Sequence, residues 1–173
     1  MKGFFVSILF LSIFSGISFS QDTDNTDFER AEDHYELGNQ LYSEGQYDEA
    51  LVEFQRGLDL AQDLNDPLFE WSILRDIGAT YRTLDDYESA DQSYNEALII
   101  AQTVEDWAKV GNSLNDLAGL YADWGNDEQA FEYYHRAVDI NETRVHDPYN
   151  FGTTLANIGW LHRQLGHYDE ALG

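Results

Sequence analysis

Five histidines, 33 carboxylates and a scatter of serines are the groups in this chain that could do chemistry. Their spacing decides how much of it is open to them. A metal held on a helix wants two histidines about one turn apart on the same face. His34, His135, His146, His162 and His167 offer no such pair, and His162 and His167 stand five apart across Gly166. Asp22, Asp24 and Asp27 begin like a calcium loop. Such a loop needs glycine at its sixth place and glutamate at its twelfth, where this chain has Asp27 and Asp33. No serine sits in a glycine elbow, and no glycine-rich loop is present to cradle phosphate. Carboxylates are so frequent that no one pair stands out as an acid/base couple. The expectation is no catalysis, no metal and no cofactor.

Composition narrows the partners. Against the 33 acids stand nine Lys+Arg, a formal net charge of −24. Nucleic acid is excluded, because a binder must neutralise phosphates with cations, and docking on anionic lipid headgroups is excluded for the same reason. The absence of cysteine removes thiol chemistry, disulfide staples and cysteine zinc sites. At 43% hydrophobic and 14% aromatic, the chain has the side chains for a core. Two prolines among 173 residues leave long helices possible.

Residues 1–20 differ from all that follows. Lys2 supplies a positive start, and Gly3 to Ser20 carry no charge. Phe4 to Phe14 are mostly apolar, and Ser18 and Ser20 place small side chains just before Gln21. This order predicts a secretory signal peptide cut after Ser20, and a periplasmic or secreted protein. The competing reading is an uncleaved anchor, for which the run is near the lower length limit. Loss of Lys2 takes the net charge from −24 to −25. Residues 21–30, opening with QDTDNTD, are expected to form an acidic flexible tail.

The remainder repeats. Ala50, Ala90, Ala130 and Ala171 are 40, 40 and 41 residues apart, and Gly38, Gly78, Ala118 and Gly159 keep the same spacing twelve residues earlier. Within a unit the apolar rhythm is helical, as in Leu74, Ile77, Gly78 and Tyr81. A second helix carries Ala90, Tyr94, Ala97 and Leu98. Gly45, Gly125 and Gly166 mark interhelix turns that need left-handed backbone, with Asp85 in that place in the second unit. Asp66, Asp106 and Asp147 are placed to cap helix starts, and Pro67 and Pro148 follow two of them. The spacing predicts an all-α array of units near 31–66, 67–106 and 107–147, with an incomplete fourth at 148–173.

These residues resemble the tetratricopeptide (TPR) family, whose signature places small residues at positions 8, 20 and 27 and large ones at 4, 7, 11 and 24. Gly78, Ala90, Ala97, Leu74, Ile77, Tyr81 and Tyr94 fit all seven, and the third unit fits equally well. The resemblance covers Ala31 to Gly173, about four-fifths of the chain. It implies a right-handed α-solenoid of antiparallel helix pairs with about three and a half repeats. The 40-residue period exceeds the usual 34, as in the subclass found in kinesin light chains, Pins-type adaptors and many bacterial signalling proteins. That excess implies a longer second helix or connector.

The resemblance also places a binding groove on the first helices. Its expected residues are Glu32, Tyr35, Asn39 and Tyr42, then Arg75, Asp76, Arg82 and Thr83. Asn112, Asn115, Asp116 and Asp123 follow, and Asn157, Trp160, Arg163 and Gln164 complete it. Aromatics, amides and arginines together suit an extended or helical peptide. The family's chaperone-tail clamp needs basic residues, and of Tyr35, Asn39, Asp76, Asn112 and Asp116 only Asn39 has the expected type. His34 and His162 fall at core-facing places. The expected role is an exported, non-catalytic scaffold for a protein or peptide partner. The alternative is the sensory front of a bacterial histidine kinase, DNA-binding regulator or protease. A membrane enters only through an uncleaved leader or a span after Gly173. Tyr168 to Leu172 read as the opening of a further helix, so the chain is expected to be the front of a longer protein.

Overall fold

The computed structural model describes residues 14–167, with side chains from residue 26 onward. Most of the leader and the opening of the expected helix after Gly166 lie outside the described residues. Seven helices follow in order: α1 (Phe14–Ser43), α2 (Tyr47–Asp63), α3 (Pro67–Thr83), α4 (Tyr87–Thr103), α5 (Trp107–Asp123), α6 (Asp127–Ile140) and α7 (Pro148–Gln164). A π-turn at Asn141–Val145 continues α6. The pairs α1/α2, α3/α4 and α5/α6 stack into an α-solenoid, and α7 opens a fourth unit.

The forty-residue period has a simple origin. Helices α2 to α5 each span 17 residues, joined by three-residue links. The added length is thus shared by both helices of a pair, where the expectation put it in the second helix or the connector. The third unit is one residue longer than the others. The extra residue is taken up in the π-turn, where the His146 N–H donates to the Asn141 carbonyl at 2.7 Å.

The starts of α3 to α7 are capped by side chains. The Asp66 carboxylate accepts from the Leu68 and Phe69 N–H groups at 3.1 Å, Asp106 accepts from Lys109 at 3.1 Å, and Asp147 from Tyr149 at 2.9 Å. Pro67 and Pro148 occupy the first turn, where no partner for N–H is lost. The expected turn residues Gly45, Asp85, Gly125 and Gly166 all have positive φ.

The core is built of small residues facing rings. Ala50, Ala90 and Ala130 are fully buried, as are Phe54, Tyr94 and Tyr134 nearly so. A Cβ on Gly38 would stand 2.6 Å from the Phe54 ring, and one on Gly78 2.7 Å from the Tyr94 ring. Absence of a side chain lets the two helices of those pairs close onto the ring.

Two expectations need correction. Residues 21–30 lie inside α1, not in a tail. No glycine or proline interrupts the chain between Ile17 and Leu37, Arg30 pairs with Asp27 at 2.7 Å, and the Phe28 ring meets Phe69. His34 is not packed into the core. Its Nδ1 lies 2.6 Å from Glu53 Oε2, and Arg56 holds the other oxygen of that carboxylate at 2.5 Å. Leu155 on α7 is 46% exposed, whereas its equivalents Leu74 and Leu114 are 4% and 2% exposed. The second helix that buries those two has no counterpart beside α7 among the described residues. Among those residues no helix is long and apolar enough to cross a membrane.

Candidate functional site

Consecutive first helices are tied to one another by side chains that lie one repeat apart. Tyr35 donates its hydroxyl to Asp76 Oδ2 at 2.7 Å, and the Tyr42 and Thr83 hydroxyls share a hydrogen bond of 3.1 Å. One unit later arginines replace the tyrosines. Arg75 donates through Nε to Asp116, and Arg82 to Asp123 at 2.6 Å. All four contacts span 41 residues, so each column of the ladder is the repeat read across helices instead of along them. Trp71 adds a buried bond from Nε1 to Ser113 Oγ at 3.0 Å, and its ring carries Arg75 and Lys109 at 4.6 and 4.9 Å.

Burial shapes the protonation of the first rung. It pushes the Tyr35 hydroxyl up to about 12, and the bond to Asp76 acts in the same direction. Burial also raises the Asp76 carboxyl, against the lowering effects of Tyr35 and Arg75.

Between α5 and α7 the charged ladder stops. The places that would continue it hold Asn115 and Asn157, and Ala122 and Gln164. Asn115 bonds instead through Nδ2 to Thr154 Oγ1 at 2.9 Å, and its Oδ1 is buried without a partner. At this step a cleft of about 540 Å³ opens. Arg75, Arg82, Asp116 and Asp123 form one side as closed ion pairs, and Asn150, Thr153, Asn157 and Trp160 of α7 form the other. Asn112, Asn115, Gly119, Ala122 and Tyr134 complete the lining. Gly119 leaves room for Arg82 there, since a Cβ would come within 3.1 Å of Arg82 Nη1.

Eight of the expected groove residues thus meet around the cleft: Arg75, Arg82, Asn112, Asn115, Asp116, Asp123, Asn157 and Trp160. Tyr42 lines a neighbouring hollow of about 320 Å³ with Arg82, Thr83 and Tyr94. Tyr35, Asn39 and Asp76 lie toward the α1 end, and Arg163 is exposed one turn beyond Trp160. The expectation of arginines free to meet a partner is corrected, because Arg75 and Arg82 are both engaged by aspartates. Gly119, Ala122, Tyr134, Asn150 and Thr153 were not anticipated. Asn150 and Thr153 share a helical face with Asn157, a signal the spacing did contain. Tyr134 is a core ring, and only tertiary packing brings it to the cleft. Among the described residues no group of three or more His, Asp or Glu side chains is placed to hold a metal ion.

A family profile described as tetratricopeptide repeat matches residues 29–103, 71–143 and 110–173. Among curated proteins, response regulator aspartate phosphatase H of Bacillus subtilis (strain 168) is 23% identical over 154 residues, 84% of this chain and 40% of that protein. Photosystem I assembly protein Ycf3 of Parasynechococcus marenigrum (strain WH8102) is 31% identical over 86 residues, 50% of this chain and 48% of that one. The chain thus spans less than half the length of these curated relatives. Among solved structures, the TPR domain of Arabidopsis FLU matches with a TM-score of 0.62 at 24% identity, over 68% of this chain and 98% of that one. The apo form of RapI matches with a TM-score of 0.74 at 16% identity, over 84% and 40%. At these identities the two structures speak to the fold alone.

Proposed function

Because the chain belongs to the tetratricopeptide repeat family, we propose that it is a non-catalytic scaffold holding an extended protein or peptide segment along its first helices. The segment is seated in the cleft between α5 and α7. The observation that carries this reading is the chemistry of that cleft. Its four charged residues are closed on one another, while Asn112, Asn150 and Asn157 have no side-chain partner among the described residues and Trp160 is 43% exposed. Amides offer one donor and one acceptor face each, which is what the alternating N–H and C=O groups of an extended backbone require. An indole beside them gives one side chain of the ligand an apolar seat. The test is a selection of random twelve-residue peptides displayed against the purified protein, followed by titration of the enriched sequences. Trp160→Ala is expected to weaken them at least tenfold without changing the far-ultraviolet circular dichroism. Peptides that bind that variant as well as the parent would place binding elsewhere and overturn the reading.

The same proposal includes export, carried by the leader-like composition of residues 1–20. Mass spectrometry of the native protein should find Gln21 as the first residue. An intact Met1 would favour an anchor.

A further inference from the structure

The groove is not electrically uniform, and the ladder shows why. Glu36, Asp76, Asp116 and Asn157 occupy one column, 40, 40 and 41 residues apart. Every filled acceptor in that column takes its donor from the preceding first helix: Asp76 from Tyr35, Asp116 from Arg75. Glu36 lies on α1, and no earlier first helix precedes it among the described residues because α1 itself runs back to Phe14. Among the described residues it is an acceptor without a donor. Glu32, one turn earlier and in the column of Asn112, is likewise exposed and has no ion-pair partner among the described residues.

The opposite end has the reverse character. Helix α7 contains no aspartate or glutamate, and Arg163 is its only arginine or lysine. Asn157 replaces the acid of the column, and Asn115 beside it in the cleft is likewise uncharged. Between the two ends lie the closed pairs Arg75–Asp116 and Arg82–Asp123. Along the first helices the free charge therefore passes from negative at α1, through neutral pairs, to amides and a guanidinium at α7.

We infer that the segment bound in this groove is charge-asymmetric, with lysine or arginine at the end lying on Glu32 and Glu36 and an uncharged end in the α5–α7 cleft. This rests on the peptide-binding reading above and adds the class and the direction of the ligand. The reverse placement sets a cation beside Arg163 and leaves both glutamates unmet. Packed helices are about 8–10 Å apart, so three steps from α1 to α7 make roughly 24–30 Å. An extended chain covers that in about eight or nine residues. Like-charge juxtaposition acts mainly against wrong partners and wrong registers. The overall acidity of the protein makes that discrimination useful, because a wholly basic ligand would adhere to the outer helices as readily as to the groove.

The enriched twelve-residue peptides test this directly. They should carry lysine or arginine clustered at one end, with the other end uncharged. Reversing the α1 acids, Glu32→Lys with Glu36→Lys, should weaken the selected peptides at least tenfold and should shift a fresh selection toward acidic residues at that end. An equal charge change on the outer face, Glu132→Lys with Asp139→Lys, should alter binding by no more than about twofold through general electrostatics. If the reversed α1 variant loses its helical signal, Glu32→Gln with Glu36→Gln serves in its place, with a loss of at least threefold expected. A pool without a basic end, or equal losses in the inner and outer variants, overturns the asymmetry while the cleft reading stands on its Trp160 result. No enrichment at all, or enriched peptides indifferent to Trp160→Ala, defeats the cleft reading and the inference with it.

Discussion

Asn65, Asp85, Glu105 and His146 all sit at φ between 55° and 57°, a backbone that L-residues with a Cβ adopt at a cost of about 1–2 kcal/mol. With Gly45, Gly125 and Gly166 they form the set of left-handed residues that end the helices. At all of them but His146 the chain reverses through a tight link in which the next N–H reaches back to the last turn, as Asp106 does to Ala101 at 3.0 Å. Asparagine bears this conformation more easily than glutamate, since its short amide bonds locally. Asn65 shows the point, with Nδ2 on the Asp63 carbonyl at 3.3 Å. Glu105 is exposed at the equivalent place and makes no such bond. Glu105→Asn is therefore expected to stabilise the fold by up to about 1 kcal/mol. That corresponds to a rise of roughly 2–4 °C in Tm for a domain of this size, read by thermal denaturation. A fall in Tm would show that the glutamate has a role its surroundings do not reveal.

At the scale of elements, two kinds of contact hold the array, and they fail at different places. Within a pair, a small residue on the first helix meets a ring on the second, as Gly78 meets Tyr94. Between pairs, the Tyr87 ring of α4 stacks on Trp124 at the end of α5, and the stack continues through Tyr121 to Tyr133 within the third pair, where Arg136 lies 5.1 Å over the last ring. Tyr121 also donates its hydroxyl to Asp91 at 2.7 Å, joining α5 to α4. The polar ladder joins first helix to first helix. Its ion pairs are about one-third exposed, so each contributes no more than about 1 kcal/mol. What they supply is register. They align α3 with α5 and leave no free charge between them. The step to α7 has neither the ion pairs nor the full aromatic column, and it coincides with the π-turn and with three buried polar atoms left without partners, on Asn115, Asn141 and His162. Each such atom costs about 1–3 kcal/mol. The cleft opens where the helices are least firmly closed on each other.

For the whole molecule the governing quantity is the net charge of −24. Self-repulsion opposes the compact state, and salt or added protons relieve it. The shifted carboxyls act with the same sign. Burial raises Asp76 and Glu70 in the folded protein, so the folded state binds more protons than the unfolded one across that range. Stability then falls as pH rises through it and recovers as pH is lowered. Asp106 opposes this. Burial pushes it up, but hydrogen bonds from the Lys109 N–H and ammonium outweigh that and hold it below the usual range. Its contribution is lost only when pH falls through that lowered value. At low ionic strength Tm should therefore be higher at about pH 5.5 than at about pH 7.5, and sodium chloride near 0.5 M should recover much of the difference at the higher pH. A Tm that falls steadily on acidification from neutrality would mean that self-repulsion is not the governing term.

The sequence by itself determined the features that obey short-range rules. Asp66 and Asp147 were legible as caps because a carboxylate bonds N–H groups two and three residues on, and Ala90 as a core residue because helical spacing returns it to the covered face. The columns of small residues and rings followed from the same periodicity. Tertiary structure alone decided three things. It carried α1 through 21–30, where the acidic composition reads as unstructured but the Phe28 and Phe69 rings meet. It absorbed the one-residue excess of the third unit as a π-turn, when a longer link would have served the spacing equally well. It also closed Arg75 on Asp116 and Arg82 on Asp123, so that the groove's free charge lies at its ends. Those pairs join residues 41 apart on separate helices. Repeat spacing brings such residues near one another, but only the packing of α3 against α5 determines whether an arginine there faces a partner molecule or an aspartate of its own chain.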